Sequence, residues 1–190
     1  MISHKHKCIF IHIPSTSGTS IEKVFDVTNK FWDHPETKQE KHWNASQTRK
    51  FVGEKVWNDY FKFTVVRNPW DWIISHYLKS EPYFQWTNIH TGKSLAYFLR
   101  HFKSAPWEFG ERMSDYLDHG ELDFIARLEN RKEDLKHISE KLGFDVDQNK
   151  RERVNSKRKH YTEYYDDESR DIVAEKYAKD IEYFGYEFGE

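Results

Sequence analysis

Cys8-Ile9-Phe10-Ile11-His12-Ile13-Pro14-Ser15-Thr16-Ser17-Gly18-Thr19-Ser20 is the stretch that decides the fold. Its first six residues are apolar and rich in β-branched side chains, which predicts a buried parallel strand over 8–13 stopped by Pro14. A run of small residues follows from Ser15 to Ser20, and then Ile21, Val24 and Phe25 recur at helical spacing. The order is strand, tight loop, helix.

The same grammar returns at Phe61-Lys62-Phe63-Thr64-Val65-Val66, a second buried strand that runs into Arg67-Asn68-Pro69. Asn68 suits an N-cap and Pro69 the first helical position, and Ile73, Ile74, Tyr77 and Leu78 make the apolar stripe of the helix. A third strand is expected over 122–127. An amphipathic helix is expected from Arg131 to Leu142, with Leu135, Ile138 and Leu142 inward and Gly143 as its stop. One long helix is expected from Asp166 to Asp180, with acidic residues in its first turn. Strands alternating with helices predict an α/β architecture, a parallel sheet flanked by helices. No repeat, low-complexity tract or linker interrupts the chain, so a single compact domain over 1–190 is expected.

Composition bounds the function. The 190 residues carry 30 Lys+Arg against 32 Asp+Glu, a net charge of -2, which argues against nucleic-acid binding through overall charge. Mean hydropathy is low at -0.96, yet Trp, Tyr and Phe make up 17% of the chain, enough to build a core thickened by rings. The one cysteine, Cys8, excludes an internal disulfide and a cysteine-based zinc site. Met1 to Lys7 is polar, so no signal peptide is expected, and no apolar run reaches the roughly 20 residues of a membrane helix. A soluble, cytoplasmic protein is the expectation.

In sheets of this kind ligands bind beyond the carboxyl ends of the strands, where helices begin. The Ser15–Ser20 loop offers backbone N–H groups, hydroxyls and a helix N-terminus, a site for an anion. A tight turn that uses Gly18 for packing is the alternative. A nucleotide-triphosphate P-loop would need G-x-x-x-x-G-K-[ST]. Here Thr19 stands where the Lys should follow Gly18, and the second strand ends in Arg67 rather than a metal-binding Asp. A nucleotide kinase is therefore disfavoured, while an anion remains indicated. Arg67 can fork a phosphate, and Ser75, eight residues on along the following helix, can add a hydroxyl.

These residues carry a family resemblance. Ile9 to Ser20 resembles the 5′-phosphosulfate loop of sulfotransferases that use PAPS (3′-phosphoadenosine 5′-phosphosulfate), in the branch related to carbohydrate and heparan-type O-sulfotransferases. Phe63-Thr64-Val65-Val66-Arg67-Asn68-Pro69-Trp70-Asp71 through Ser75-His76-Tyr77 resembles the 3′-phosphate motif of that family. Asp123 to Asn130 and the run from Val154-Asn155-Ser156 to Phe184-Gly185-Tyr186 fit in the expected order. The resemblance implies a P-loop-like sulfotransferase fold. It implies that Ser15, Thr16, Ser17, Gly18, Thr19 and Ser20 hold the 5′-phosphosulfate, that Arg67 and Ser75 hold the 3′-phosphate, and that PAP is the product.

The implied reaction is in-line transfer of a sulfuryl group to a hydroxyl, expected on a carbohydrate, with no metal required. His42 is the expected base, since relatives carry a His just before a helix in this region and a neutral imidazole suits the task. A surface or capping histidine is the alternative, and His12 reads as packed or as a supporting partner. The basic run from Lys150 to His160 is either a solvated face or a loop closing over the nucleotide, with Ser156 and Arg158 on the 3′-phosphate side. Trp86 and Trp107 are candidates for stacking on a sugar ring.

Two departures stand out. Relatives carry Lys directly after the loop proline, where this chain has Ser15, and losing such a donor typically costs about 3 kcal/mol of transition-state stabilisation. Either Lys7, Lys41 or Lys157 substitutes, or the protein binds PAP and PAPS with little or no turnover. Trp72 stands where relatives often carry Arg. The chain is compact for the family and leaves little room for a dedicated acceptor-binding lobe, so a partner subunit or a small acceptor is expected to make up the difference.

Overall fold

The computed structural model describes residues 1–25, 42–79, 94–101, 112–117, 122–145 and 158–190. They fall into two compact units, Met1–Val66 with Trp107–Val154 and Arg67–Pro106 with Asn155–Glu190. The α/β expectation holds. A four-stranded sheet runs in the order β1 (Ile2–Ser3), β2 (Cys8–Ile11), β3 (Phe61–Val66), β4 (Phe124–Arg127). The pairs β2–β3 and β3–β4 are parallel, and the short β1 is antiparallel to β2. All four residues of β2 are fully buried, as a parallel strand covered on both faces requires.

In the first unit, α1 (Gly18–Phe25), α2 (Ala45–Asp59) and α5 (Arg131–Leu142) accompany the sheet. Phe10 stacks on Phe63 at 5.1 Å, and Ile21, Val24, Phe25, Leu135 and Ile138 close the core around them. Truncating one of these phenylalanines to Ala carries a typical cost of about 3–5 kcal/mol. Helix α5 ends where the sequence says it should: Gly143 takes φ 62°, a left-handed value that glycine adopts without Cβ strain. The Phe144 N–H then donates to Ser139 O at 3.0 Å.

The strand expected over 8–13 leaves the sheet after Ile11, and its hydrogen bonds show why. The His12 carbonyl accepts from the His42 ring and the Ile13 carbonyl from the Thr16 hydroxyl, so side chains replace the ladder. The strand expected over 122–127 starts at Phe124 because the Asp123 carboxylate takes both the Lys62 N–H, at 2.7 Å, and its ammonium, at 2.9 Å.

Cys8 lies inside this core, fully buried, and burial pushes its thiol up to about 12. We expect the native protein to resist a disulfide reagent such as DTNB at pH 8 and to release one thiol per chain on denaturation. Rapid reaction of the native protein would show that this core opens.

The second unit holds α3 (Pro69–Lys79), α4 (Leu95–His101), α6 (Asp167–Lys176) and α7 (Ala178–Phe184). Asn68 caps α3 as expected, its Oδ1 accepting from the Trp70 N–H at 3.1 Å. Leu95, Phe98 and Leu99 are buried, with Phe98 edge-on to Tyr77 at 5.3 Å.

The helix expected over 166–180 is two. Asp166 caps the first, and the backbone turns at Tyr177 (φ -112°, ψ 21°), whose buried ring meets Trp72 edge-on at 5.7 Å. Trp70, Tyr161 and Tyr165 converge on Phe188. Much of the aromatic excess is therefore core.

Candidate functional site

The first cluster belongs to the sheet unit. The loop from Pro14 into α1 has Ser15 at φ 65° and Ser17 at φ 67°, left-handed values that cost a non-glycine residue of order 1 kcal/mol or more. Alternation of this kind turns successive N–H groups toward one point, as an anion nest does. Thr16 is wholly buried and its hydroxyl donates to Ile13 O at 2.9 Å, so it braces the loop and spends its proton on the backbone. Gly18 and Ser20 are buried, while Ser15, Ser17 and Thr19 remain partly exposed.

Gly18 is required by a close approach. A Cβ at this position would lie 1.7 Å from His12 Nε2. The buried His12 ring therefore packs directly under the start of α1, stacked on Phe10 at 5.5 Å, with its Nδ1 3.1 Å from Glu22 Oε1. Reading His12 as a packed supporting residue agrees with this position.

His42 joins the same cluster. Its ring lies 4.5 Å from that of His12, and its Nδ1 is 2.9 Å from the His12 carbonyl oxygen. A carbonyl only accepts, so Nδ1 carries the proton, and a neutral ring keeps its lone pair on Nε2. The start of α2 holds His42 in place. Asn44 and Gln47 form a reciprocal capping box two residues later, with bonds of 2.8 and 3.0 Å. The chain thus enters α2 in a fixed direction.

The second cluster lies in the other unit. Arg67 directly follows β3 and is nearly buried. Its Nε and one terminal nitrogen both donate to Asp71 Oδ2 at 2.6 Å. Arg158, 87 residues further on, donates to Asp71 Oδ1 and, at 3.2 Å, to the Asp71 carbonyl. Ser75 sits one turn beyond Asp71 on α3, partly buried, and so shares its face. Tyr165 donates to Trp70 O at 2.8 Å; burial, then the Asp71 charge, raises its hydroxyl well above the ordinary tyrosine range.

His12 lies against both Gly18 and His42 in the first cluster, and Asp71 joins Arg67 and Arg158 in the second, with Ser75 one turn further along α3. Ser156, Lys41, Lys157, Trp86 and Trp107 lie outside the described residues. Lys7 is corrected as a stand-in for the loop lysine. It precedes β2, and its carbonyl accepts from the Phe61 N–H at the amino end of β3. Six residues, four of them the extended β2, separate it from Pro14; seven steps of ~3.3 Å make about 23 Å, further than a lysine side chain reaches. Trp72, where relatives often carry a cation, is buried against Tyr177 and His76.

Asp71 and Glu22 are the residues that sequence reading missed. Asp71 was visible as an i,i+4 partner of Arg67; Glu22 had no signal beyond its place one turn into α1.

A family model described as the sulfotransferase family matches residues 1–187. The chain belongs to the sulfotransferase family. No curated protein and no solved structure gave a match. Membership supports a transferase that moves a sulfuryl group to a hydroxyl-bearing acceptor. Among the described residues no helix is long and apolar enough to cross a membrane, and no group of three or more His, Cys, Asp or Glu is placed to hold a metal.

Proposed function

We propose that this sulfotransferase moves a sulfuryl group from PAPS to a carbohydrate hydroxyl, with His42 as the general base. The observation that carries the reading is the His42 hydrogen bond to the His12 carbonyl, which leaves Nε2 as the basic nitrogen in the unit that also holds the anion loop. The acceptor oxygen attacks sulfur in line, its proton passes to Nε2, and the bond from sulfur to the 5′-phosphate oxygen breaks. The charge that develops on that oxygen falls to the loop N–H groups and to the hydroxyls of Ser15, Ser17 and Thr19. The 3′-phosphate falls to Arg67, Ser75 and Arg158, with Ser156 two residues before Arg158 in the sequence.

The test is a labelled-donor assay with PAPS across sugar, phenol and peptide acceptors. Labelled sugar product supports the reading. Transfer to phenols or peptides alone would replace the acceptor class.

A second reading, a PAP- or PAPS-binding protein with little or no turnover, is favoured by Ser15 itself, since Lys7 stands too far away to serve. Restoring the lysine separates the two. Ser15→Lys is expected to raise the transfer rate by two to three orders of magnitude. An unchanged rate in a variant that still binds PAP would remove the lysine from the explanation.

A further inference from the structure

Two arginines held close together repel one another, and burial strengthens that repulsion. In the second unit Arg67 and Arg158 are nonetheless brought to one carboxylate, with side-chain exposures of 9% and 19%. Asp71 takes the Nε edge of Arg67 on Oδ2 and a terminal nitrogen of Arg158 on Oδ1, and its backbone carbonyl takes Arg158 a second time.

Asp71 is itself held firmly. It lies in the first turn of α3, where a negative charge is favoured. The chain entering that turn is fixed by Asn68, which caps the helix with Oδ1 and donates from Nδ2 to Glu187 O at 2.8 Å. The triad carries two positive charges and one negative, an excess that a phosphate monoester complements. Arg158 Nε is buried and has no hydrogen-bond partner among the described residues, a donor left over once Asp71 is satisfied.

We propose that Asp71 is the positioning residue of the 3′-phosphate site. It aligns Arg67 and Arg158 as a pair, and the pair lets the protein distinguish a nucleotide bearing a 3′-phosphate from one without it. This rests on the PAPS reading above. Asp71 stays behind the arginines and acts through them; it does not touch the donor.

The test is calorimetric titration of the full chain with PAP and with 5′-AMP, which differ by the 3′-phosphate, using the unaltered protein, Asp71→Asn and Asp71→Glu. The unaltered protein is expected to prefer PAP. Asp71→Asn keeps the shape and removes the charge, and its preference for PAP over 5′-AMP is expected to fall at least tenfold, with 5′-AMP affinity unchanged. Asp71→Glu keeps the charge and so spares the fold while displacing the fork by one methylene, and it is expected to lose part of the same preference.

A carboxylate that merely stabilises the fold would lower the melting temperature and leave the preference intact. A carboxylate that competes with phosphate would give tighter PAP binding when removed. An undiminished preference in Asp71→Glu, or a gain in Asp71→Asn, overturns the proposal. No preference for PAP in the unaltered protein would instead overturn the donor reading beneath it.

Discussion

His42→Ala is expected to lower the transfer rate by roughly two to four orders of magnitude, the usual worth of a positioned general base, while PAP affinity stays within about twofold. The split between rate and affinity follows from the geometry. The His42 ring is anchored through Nδ1 to the His12 carbonyl, and Asn44 and Gln47 cap the helix after it. The anion loop has its own supports in Thr16 and in the Ser17 carbonyl, which accepts from the Ser20 and Ile21 N–H groups.

On the proposed reading, removing the imidazole removes a proton acceptor and leaves the loop's own hydrogen bonds standing. Steady-state rates with labelled PAPS, set beside PAP titrations of the same variant, measure the two effects separately. Loss of PAP binding in parallel with rate would make His42 a brace for the loop. An unchanged rate would send the proton elsewhere.

Gly18→Ala has the second large expected effect, and it comes from one methyl group. The added Cβ would fall 1.7 Å from His12 Nε2, a distance no pair of heavy atoms tolerates. His12 is hemmed in by Phe10, His42 and Glu22, so the start of α1 must move. Overpacking of this kind costs about 1–3 kcal/mol, which corresponds to a fall in melting temperature of about 3–10 °C for a chain of this size.

The moved part is the anion loop, so PAP binding is expected to weaken at least tenfold. The double variant Gly18→Ala/His12→Ala opens the space the methyl needs, and its fall in melting temperature is expected to be smaller than the sum of the two single falls. Strict additivity, measured by thermal melts of the four proteins, would show that His12 is not what excludes the side chain.

The sequence announced the parts of this fold whose limits are set locally. Strand β3 matches its expected span to the residue, because Arg67-Asn68-Pro69 ends it with a cap and a helix start. Helix α5 matches because Gly143 supplies the left-handed stop.

Limits set from a distance were not legible. The turn at Tyr177 has no glycine or proline to mark it and depends on a ring packed against Trp72. Strand β1, two residues long, is too short for any period, and α2 carries Gly53 at φ 79° inside it and buries few apolar residues. The candidate site divides the same way. The loop and Arg67 could be read from spacing, whereas the meeting of Arg158 with Asp71 spans 87 residues and exists only in the folded chain.

The most direct test of the account is whether the unaltered protein binds PAP at all. Calorimetric titration is predicted to show saturable binding of one PAP per chain, at least tenfold tighter than 5′-AMP and independent of added Mg²⁺. A flat titration, or equal affinities for PAP and 5′-AMP, would contradict it.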